Sequence, residues 1–153
     1  MQRNWKQAFS AAPKLEVVSF YPGVANVQNG TQMFSECIKL KHILPHLIME
    51  NCNASEMFYN CKSLETAKIK SLKNSVSFAQ SPLLSLESLR FTVDNRPDYF
   101  TSAIIITVHA DVYAKLTGDT TNAAAAALTE EELAQWNQVL VDAAAKNISF
   151  ATT

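Results

Sequence analysis

The sequence predicts an α/β fold: a solenoid of about four short stacked repeats, closed by a C-terminal cap of helix, strand, helix, helix and strand. Two observations carry this prediction. A pattern of apolar residues and cysteine recurs about every 24 residues, and beyond residue 100 it gives way to separate helix and strand signals. A unit of this size cannot bury its apolar face alone, so stacked copies would share one continuous core.

The repeat is clearest in two stretches of eight residues. Residues 33–40 read Met-Phe-x-x-Cys-x-x-Leu, and residues 57–64 match them at every marked position. Residues 8–15 form a weaker copy, and residues 83–91 match residues 61–69 at an offset of 22. Phe, Cys and Leu spaced three apart suit one face of a helical turn, and the alternating apolar residues after the Leu suit a short strand.

The repeated Met-Phe-x-x-Cys-x-x-Leu-x-x-Ile resembles the BspA-type leucine-rich repeats of bacterial surface proteins, over roughly residues 8–91. Residues 104–116 are also similar to the closing segment attached to such repeats in proteins of gut bacteria and their phages. The resemblance implies a leucine-rich-repeat solenoid in residues 1–100, and an α/β cap continuous with it in residues 101–153. The alternative is a separate small α/β domain at the C-terminus. For function, the resemblance implies binding or adhesion and no enzyme activity.

Composition excludes several classes of protein. The chain has 153 residues and a net charge of −1, and its Lys and Arg residues form no basic run of the kind that nucleic-acid binders carry. No stretch approaches the roughly 20 apolar residues of a membrane span. The N-terminus has no signal-peptide pattern, which predicts a cytoplasmic protein; a cell-surface location is the expectation if the chain is a fragment of a longer secreted protein.

The cysteines leave two alternatives open. Cys37 and Cys61 hold equivalent repeat positions, so they are expected to be close neighbours, either as buried reduced thiols or as a disulfide. Cys52 belongs to a different column of the repeat. The paired Cys-x-x-Cys spacing of metal sites is missing.

Local signals predict the remaining elements. In the repeat region, Trp5 is expected to cover the first repeat, residues 15–20 to form a strand, residues 21–23 a turn, and residues 44–46 a break in the second strand that bulges outward. A helix over 86–94 with Ser85 as N-cap and a strand over 103–108 follow. The last elements are a helix over 112–116 capped by Asp111 and ended by Gly118, a helical run over 123–127, a helix to about Lys146 that begins with a capping box at Thr129, and a strand over 148–151.

No catalytic, cofactor-binding or metal-binding residues are predicted. His42 and His46 have zinc-ligand spacing, but Pro45 lies between them. His109 and Asp111 suggest acid–base chemistry, but Asp111 is better explained as a helix cap, and the three Glu residues at 130–132 suit a first helical turn. The exposed positions expected on the binding face are Glu16, Lys41 or His42, Glu65, Lys68, Glu87 and Arg90, with Tyr21, His46 and Tyr59 as further contacts.

The leading hypothesis is a noncatalytic leucine-rich-repeat module for protein–protein or surface binding, adhesion-like, with an unknown protein or glycan as its partner. The alternative is a structural component of a larger assembly, such as a phage particle or a cell-surface array. In that alternative, the uncapped N-terminal repeat would form a homo-oligomer.

Overall fold

The structure is a computed structural model that describes residues 4–21 and 25–153. The turn predicted at 21–23 therefore falls mainly on residues outside the described part. The described residues form six strands and four helices. These are β1 (Val17–Ser19), β2 (His42–Ile48), β3 (Thr66–Lys70), β4 (Val76–Phe78), α1 (Leu86–Asp94), β5 (Ile104–Val108), α2 (Ala110–Thr117), α3 (Ala123–Ala126), α4 (Glu130–Ala145) and β6 (Ile148–Thr152).

The prediction of a leucine-rich-repeat solenoid of about four repeats with a C-terminal cap is wrong. The chain is a small α/β protein with two three-stranded parallel sheets, ordered β1-β2-β3 and β4-β5-β6, and four helices. No solenoid of repeats is evident in the described residues, because no single sheet runs along the chain. The first sheet ends at β3, and β4 pairs with β5 instead of continuing it.

Helix α1 is the physical reason that the first sheet ends at β3. The backbone N–H of Ala67 donates to Ser88 Oγ at 3.0 Å, and the N–H of Ile69 donates to Thr92 Oγ1 at 3.1 Å. Ser88 and Thr92 are four residues apart, so both hydroxyls lie on the same face of the helix. They satisfy the edge of β3 where a fourth strand would otherwise pair. The predicted helix bounds and the Ser85 N-cap are confirmed.

Within the first sheet, strands pair in parallel at the spacing seen in the sequence. Val17 pairs with His42, and His42 pairs with Thr66, offsets of 25 and 24 residues. Val18, Ile43 and the alternate residues of β3 point inward, which gives each strand one buried face. This regularity is confined to three strands and does not extend into the second sheet.

A row of aromatic rings packs beside the first sheet. Phe9 stacks on Phe34 with centroids 5.4 Å apart, Phe34 on Phe58 at 5.9 Å, and Phe58 on Phe78 at 4.6 Å. Trp5 stacks on Phe9 at 6.4 Å, so the prediction that it covers this end is confirmed. The offset between the last two rings is 20 residues, shorter than the 25 and 24 residues that separate the first three phenylalanines.

The three cysteines are buried free thiols. Cys37 Sγ donates to the carbonyl of Phe9 at 3.0 Å, and Cys61 Sγ donates to the carbonyl of Phe34 at 3.1 Å. Burial raises the pKa of the Cys61 thiol to about 12 and that of Cys52 to about 11. Cys37 and Cys61 therefore act as small apolar groups that also satisfy backbone carbonyls.

One hydrophobic core connects the two sheets. Its buried members come from both sheets and from α1, α2 and α4, among them Leu40, Leu64, Val93, Ile106 and Val139. The division into residues 1–100 and 101–153 stays a prediction. Strand β4, from the first part, pairs with β5 from the second.

The C-terminal part contains the predicted elements, including the helical run over 123–127, which forms the short helix α3. Helix α2 begins earlier than predicted, because His109 rather than Asp111 is its N-cap: the Asp111 N–H donates to His109 Nδ1 at 3.0 Å. Gly118 ends this helix with φ 73°, as predicted. The capping box of α4 is confirmed, with reciprocal bonds of 3.1 Å between Thr129 and Glu132.

A buried arginine fastens α4 to the connection between α1 and β5. Arg96 is 1% exposed, and its guanidinium donates to the carbonyls of Leu72 (3.0 Å), Phe100 (3.1 Å), Ser102 (2.8 Å) and Lys146. Lys146 also bonds to Arg96 through its side chain, since its Nζ donates to the Arg96 carbonyl at 2.8 Å. The carbonyl end of a helix favours nearby cations, which suits both side chains to this place.

Candidate binding face on the first sheet

The most distinctive surface is built on a β-bulge in β2. Ile43 pairs with Ala67, an offset of 24, whereas Leu47 pairs with Ile69, an offset of 22. The strand therefore carries two extra residues between its buried Ile43 and Leu47. A bulge changes the direction in which side chains leave the strand, and it is a specific feature of a fold rather than a defect.

The bulge directs three residues to solvent. Leu44 is 39% exposed, Pro45 is exposed and His46 is half-buried. The sequence prediction of an outward bulge at 44–46 is confirmed, but the predicted break is not, because β2 continues through these residues. We use the name bulge face for the surface formed by Leu44, Pro45, His46, Lys68, Lys70 and Phe91.

An aromatic and cationic cluster joins the bulge to α1. The ring of His46 stacks on Phe91 with centroids 5.5 Å apart, and Lys68 Nζ lies 5.7 Å from the centroid of the same ring. Burial lowers the pKa of His46, and the positive charges of Lys70 and Lys68 lower it further. His46 is therefore neutral at pH 7, and the positive charge of this surface comes from lysine.

The two lysines beside the bulge have no acidic partner in the described part of the chain. Lys68 and Lys70 both point outward from β3 and take part in no salt bridge there. Arg90, on the neighbouring helix, is by contrast held by Asp94 and Asp142, the latter at 2.9 Å. The bulge face thus combines exposed apolar groups with two uncompensated cations.

Several predicted contact positions lie on or next to this face. His42 and Lys68 are outward residues of β2 and β3, and His42 Nδ1 lies 2.9 Å from Thr66 Oγ1. The predicted positions Glu16, Lys41 and Glu65 form a row just before the strands, joined by backbone bonds of 2.8 and 2.9 Å.

Other predicted positions lie elsewhere, and one contact residue was missed. Tyr21 is 84% exposed at the end of the β1 edge, and Tyr59 is 45% exposed in a separate cavity that it shares with Gln80 and Thr153. Phe91 was missed because it was counted as an apolar repeat position. The predicted helix over 86–94 already carried the signal, since residues 89 and 93 face the core and residue 91 does not.

The residues examined for chemistry do not converge on one point. His42 contacts Thr66, whereas His46 stacks on α1, so each of the two histidines has a different partner. His109 Nδ1 is 3.7 Å from Asp111 Oδ2, but it also accepts the Asp111 N–H that begins α2. Over residues 4–21 and 25–153, no group of three or more His, Cys, Asp or Glu side chains could hold a metal ion.

A concave surface lies beside β4 and β5. This groove has a volume of about 680 Å³ and is lined mainly by small polar residues of 52–56 and 74–77, with Ile105 and Thr107. The thiol of Cys52 lines it, but its raised pKa of about 11 leaves it protonated at neutral pH. The groove therefore offers hydrogen bonds but no reactive group.

In comparisons with known proteins, no protein-family model, curated protein or solved structure matches this chain. In the described residues, none of the helices is long and apolar enough to cross a membrane.

Proposed function

We propose that the protein is a noncatalytic binding module with a role similar to that of adhesion proteins. It contacts a partner protein or a surface through the bulge face. The observation that carries the proposal is the combination of exposed Leu44 and Pro45 with the unpaired Lys68 and Lys70 on one side of a sheet. Apolar groups provide area to bury, and unpaired cations provide attraction and orientation for an acidic partner.

The chemistry of the face favours a protein segment that carries both acidic and apolar residues. The His46 ring stacks on Phe91, and Leu44, two residues before His46 in β2, is an exposed apolar group. An acidic residue of the partner could pair with Lys68, and an apolar residue could cover Leu44. A glycan would be expected to use the stacked rings alone and to be little affected by charge.

The experiment uses a photo-crosslinking amino acid placed at Leu44, with the same amino acid at Val141 as the control. Val141 is 56% exposed and belongs to α4, not to the first sheet. A protein or glycan-bearing protein crosslinked from Leu44 and not from Val141 is the candidate partner, and its dissociation constant is then measured by calorimetry.

Variants decide whether the face itself binds. Leu44→Asp and Lys68→Glu should each raise the dissociation constant of that partner by about tenfold or more, as expected for central interface residues. Val141→Asp should leave it unchanged. Equal binding by all three variants, or turnover of a small molecule by the purified protein, would refute the proposal. The expectation of a structural component in a larger assembly stays a prediction.

A further inference from the structure

The backbone groups at the two edges of the first sheet differ in their hydrogen-bond partners. On the β3 edge, the N–H groups of Ala67 and Ile69 donate to hydroxyls of α1. On the β1 edge, none of the residues in 4–21 or 25–153 forms a strand beside β1. An unpaired edge strand is a template for pairing with another chain, and proteins usually cover or blunt it.

The backbone groups that face this edge can be identified. The carbonyl of Glu16 accepts the N–H of Lys41 at 2.8 Å, and the N–H of Phe20 donates to the carbonyl of Leu44 at 2.8 Å. Because successive residues of a strand point their backbone groups to opposite sides, Val18 also faces β2. Val17 and Ser19 therefore direct their N–H and C=O groups to the open edge.

We infer that β1 pairs antiparallel with β1 of a second copy of this chain, around a two-fold axis at Val18. In this register, Val17 lies opposite Ser19 of the second copy, and Ser19 lies opposite Val17. Residues that lie opposite each other in this way exchange both backbone bonds, so the two pairs form four hydrogen bonds. A two-fold interface needs one self-complementary patch, and the outward groups of Val17 and Ser19 provide it.

The side chains at this edge fit the same register. Val17 is 48% exposed and Tyr21 is 84% exposed, which is high for an aromatic ring beside a sheet. Residue 21 lies opposite residue 15 of the second copy, so Tyr21 would cover the half-buried Leu15 there. Pairing would also stop at two copies, because α1 closes the far edge of each sheet, and the product is a six-stranded sheet rather than a fibre.

This inference concerns a different surface from the bulge face and does not depend on the proposed function. Its test is sedimentation equilibrium of the full chain from about 1 μM to about 1 mM, a range that spans weak dimers. Ser19→Pro removes an outward N–H without touching the bonds to β2, and Ser19→Thr is its matched control. Val17→Lys blunts the same edge, and Val141→Lys places the same charge on α4.

A monomer–dimer equilibrium is expected for the wild type, Ser19→Thr and Val141→Lys. Ser19→Pro removes two of the four bonds and should raise the dimer dissociation constant by about tenfold or more, as should Val17→Lys. Hydrogen exchange at Val17 and Ser19 should slow at the higher protein concentrations. A wild type that is monomeric at about 1 mM, or a dimer that both edge variants leave intact, would overturn the inference. The inference would also be overturned if hydrogen exchange at Val17 and Ser19 slowed only when a protein of different sequence was added.

Discussion

Replacing Arg96 by Met tests the most concentrated polar contact in the structure. The side chain is 1% exposed, and its guanidinium donates to four backbone carbonyls between Leu72 and Lys146. Methionine has a similar length and can fill the space, but it donates no hydrogen bond. The variant therefore isolates the loss of the donors from the loss of packing.

The expected loss is about 3–5 kcal/mol of unfolding free energy. Hydrogen bonds from a charged donor contribute about 1.5–3 kcal/mol each, so four would exceed 6 kcal/mol if nothing opposed them. Burial of the guanidinium opposes them, and the lowered pKa of Arg96 has this desolvation as its cause. Since a domain of this size is stable by about 5–15 kcal/mol, the variant should be near its limit of stability.

Urea unfolding followed by tryptophan fluorescence measures the change, and Arg90→Met is the matched control. Arg90 pairs with Asp94 and Asp142 on the surface, its side chain is 32% exposed, and its loss is expected to change stability by only about 0–1 kcal/mol. Arg96→Lys should fall between the two, because one ammonium cannot reach all four carbonyls. Equal stability of Arg96→Met and Arg90→Met would refute the reasoning.

Three further predictions follow from buried groups. Ser88→Ala should destabilise the protein by about 1–3 kcal/mol in chemical unfolding, because the buried N–H of Ala67 loses its acceptor. The pKa of His46 is lowered by burial and two neighbouring lysines, so the unfolded chain takes up the proton first. Stability should fall as pH drops below 6.5, the ordinary histidine pKa, and His46→Phe should weaken this dependence between pH 7.5 and 5.5. Cys52 and Cys61, with pKa values raised to about 11 and about 12, should resist alkylation at pH 8 until urea unfolds the protein, as mass spectrometry can measure.

Each of these predictions has its own control. Ser88→Thr keeps the hydroxyl, and a loss as large as that of Ser88→Ala would show that the acceptor is not the cause. If the stability of His46→Phe depended on pH as the wild type does, groups other than His46 would cause the loss of stability in acid. Rapid labelling of Cys52 in the folded state would mean that the groove beside β4 exposes a reactive thiol.

Local signals in the sequence located the helices, apart from the start of α2, but were insufficient for the fold. The Ser85 cap, the capping box at Thr129 and Gly118 each act within four residues, and the structure confirms them. The helix over 86–94 was predicted correctly, but residues 83–91 were also counted as a fourth repeat, so the end of the first sheet at β3 was missed. Ser88 and Thr92, four residues apart on this helix, direct both hydroxyls to the edge of β3 and end the sheet there.

Contacts that do not follow the 24-residue spacing could not be predicted. Arg96 appeared in the sequence only as part of a polar helix end, because its acceptors lie as far apart as residues 72 and 146. The bulge face was predicted in part: His46 and Lys68 were named, but Phe91 depends on how α1 packs across the sheet. A sequence pattern gives the face of an element and not the neighbour that the element meets.

The bulge face is fixed at both ends, and this bears directly on binding. The carbonyl of Leu44 accepts the N–H of Phe20 at 2.8 Å, and Ile48 bonds through its N–H to Ala25 and through its carbonyl to Val27, both at 2.8 Å. A bulge held in this way loses little conformational entropy when a partner binds. We therefore expect the amides of Phe20, Val27 and Ile48 to exchange slowly in the free protein, with little further slowing in the complex. Fast exchange that slows strongly on binding would show that the partner orders the bulge, and the affinity would then depend on the stability of this segment rather than on a preformed surface.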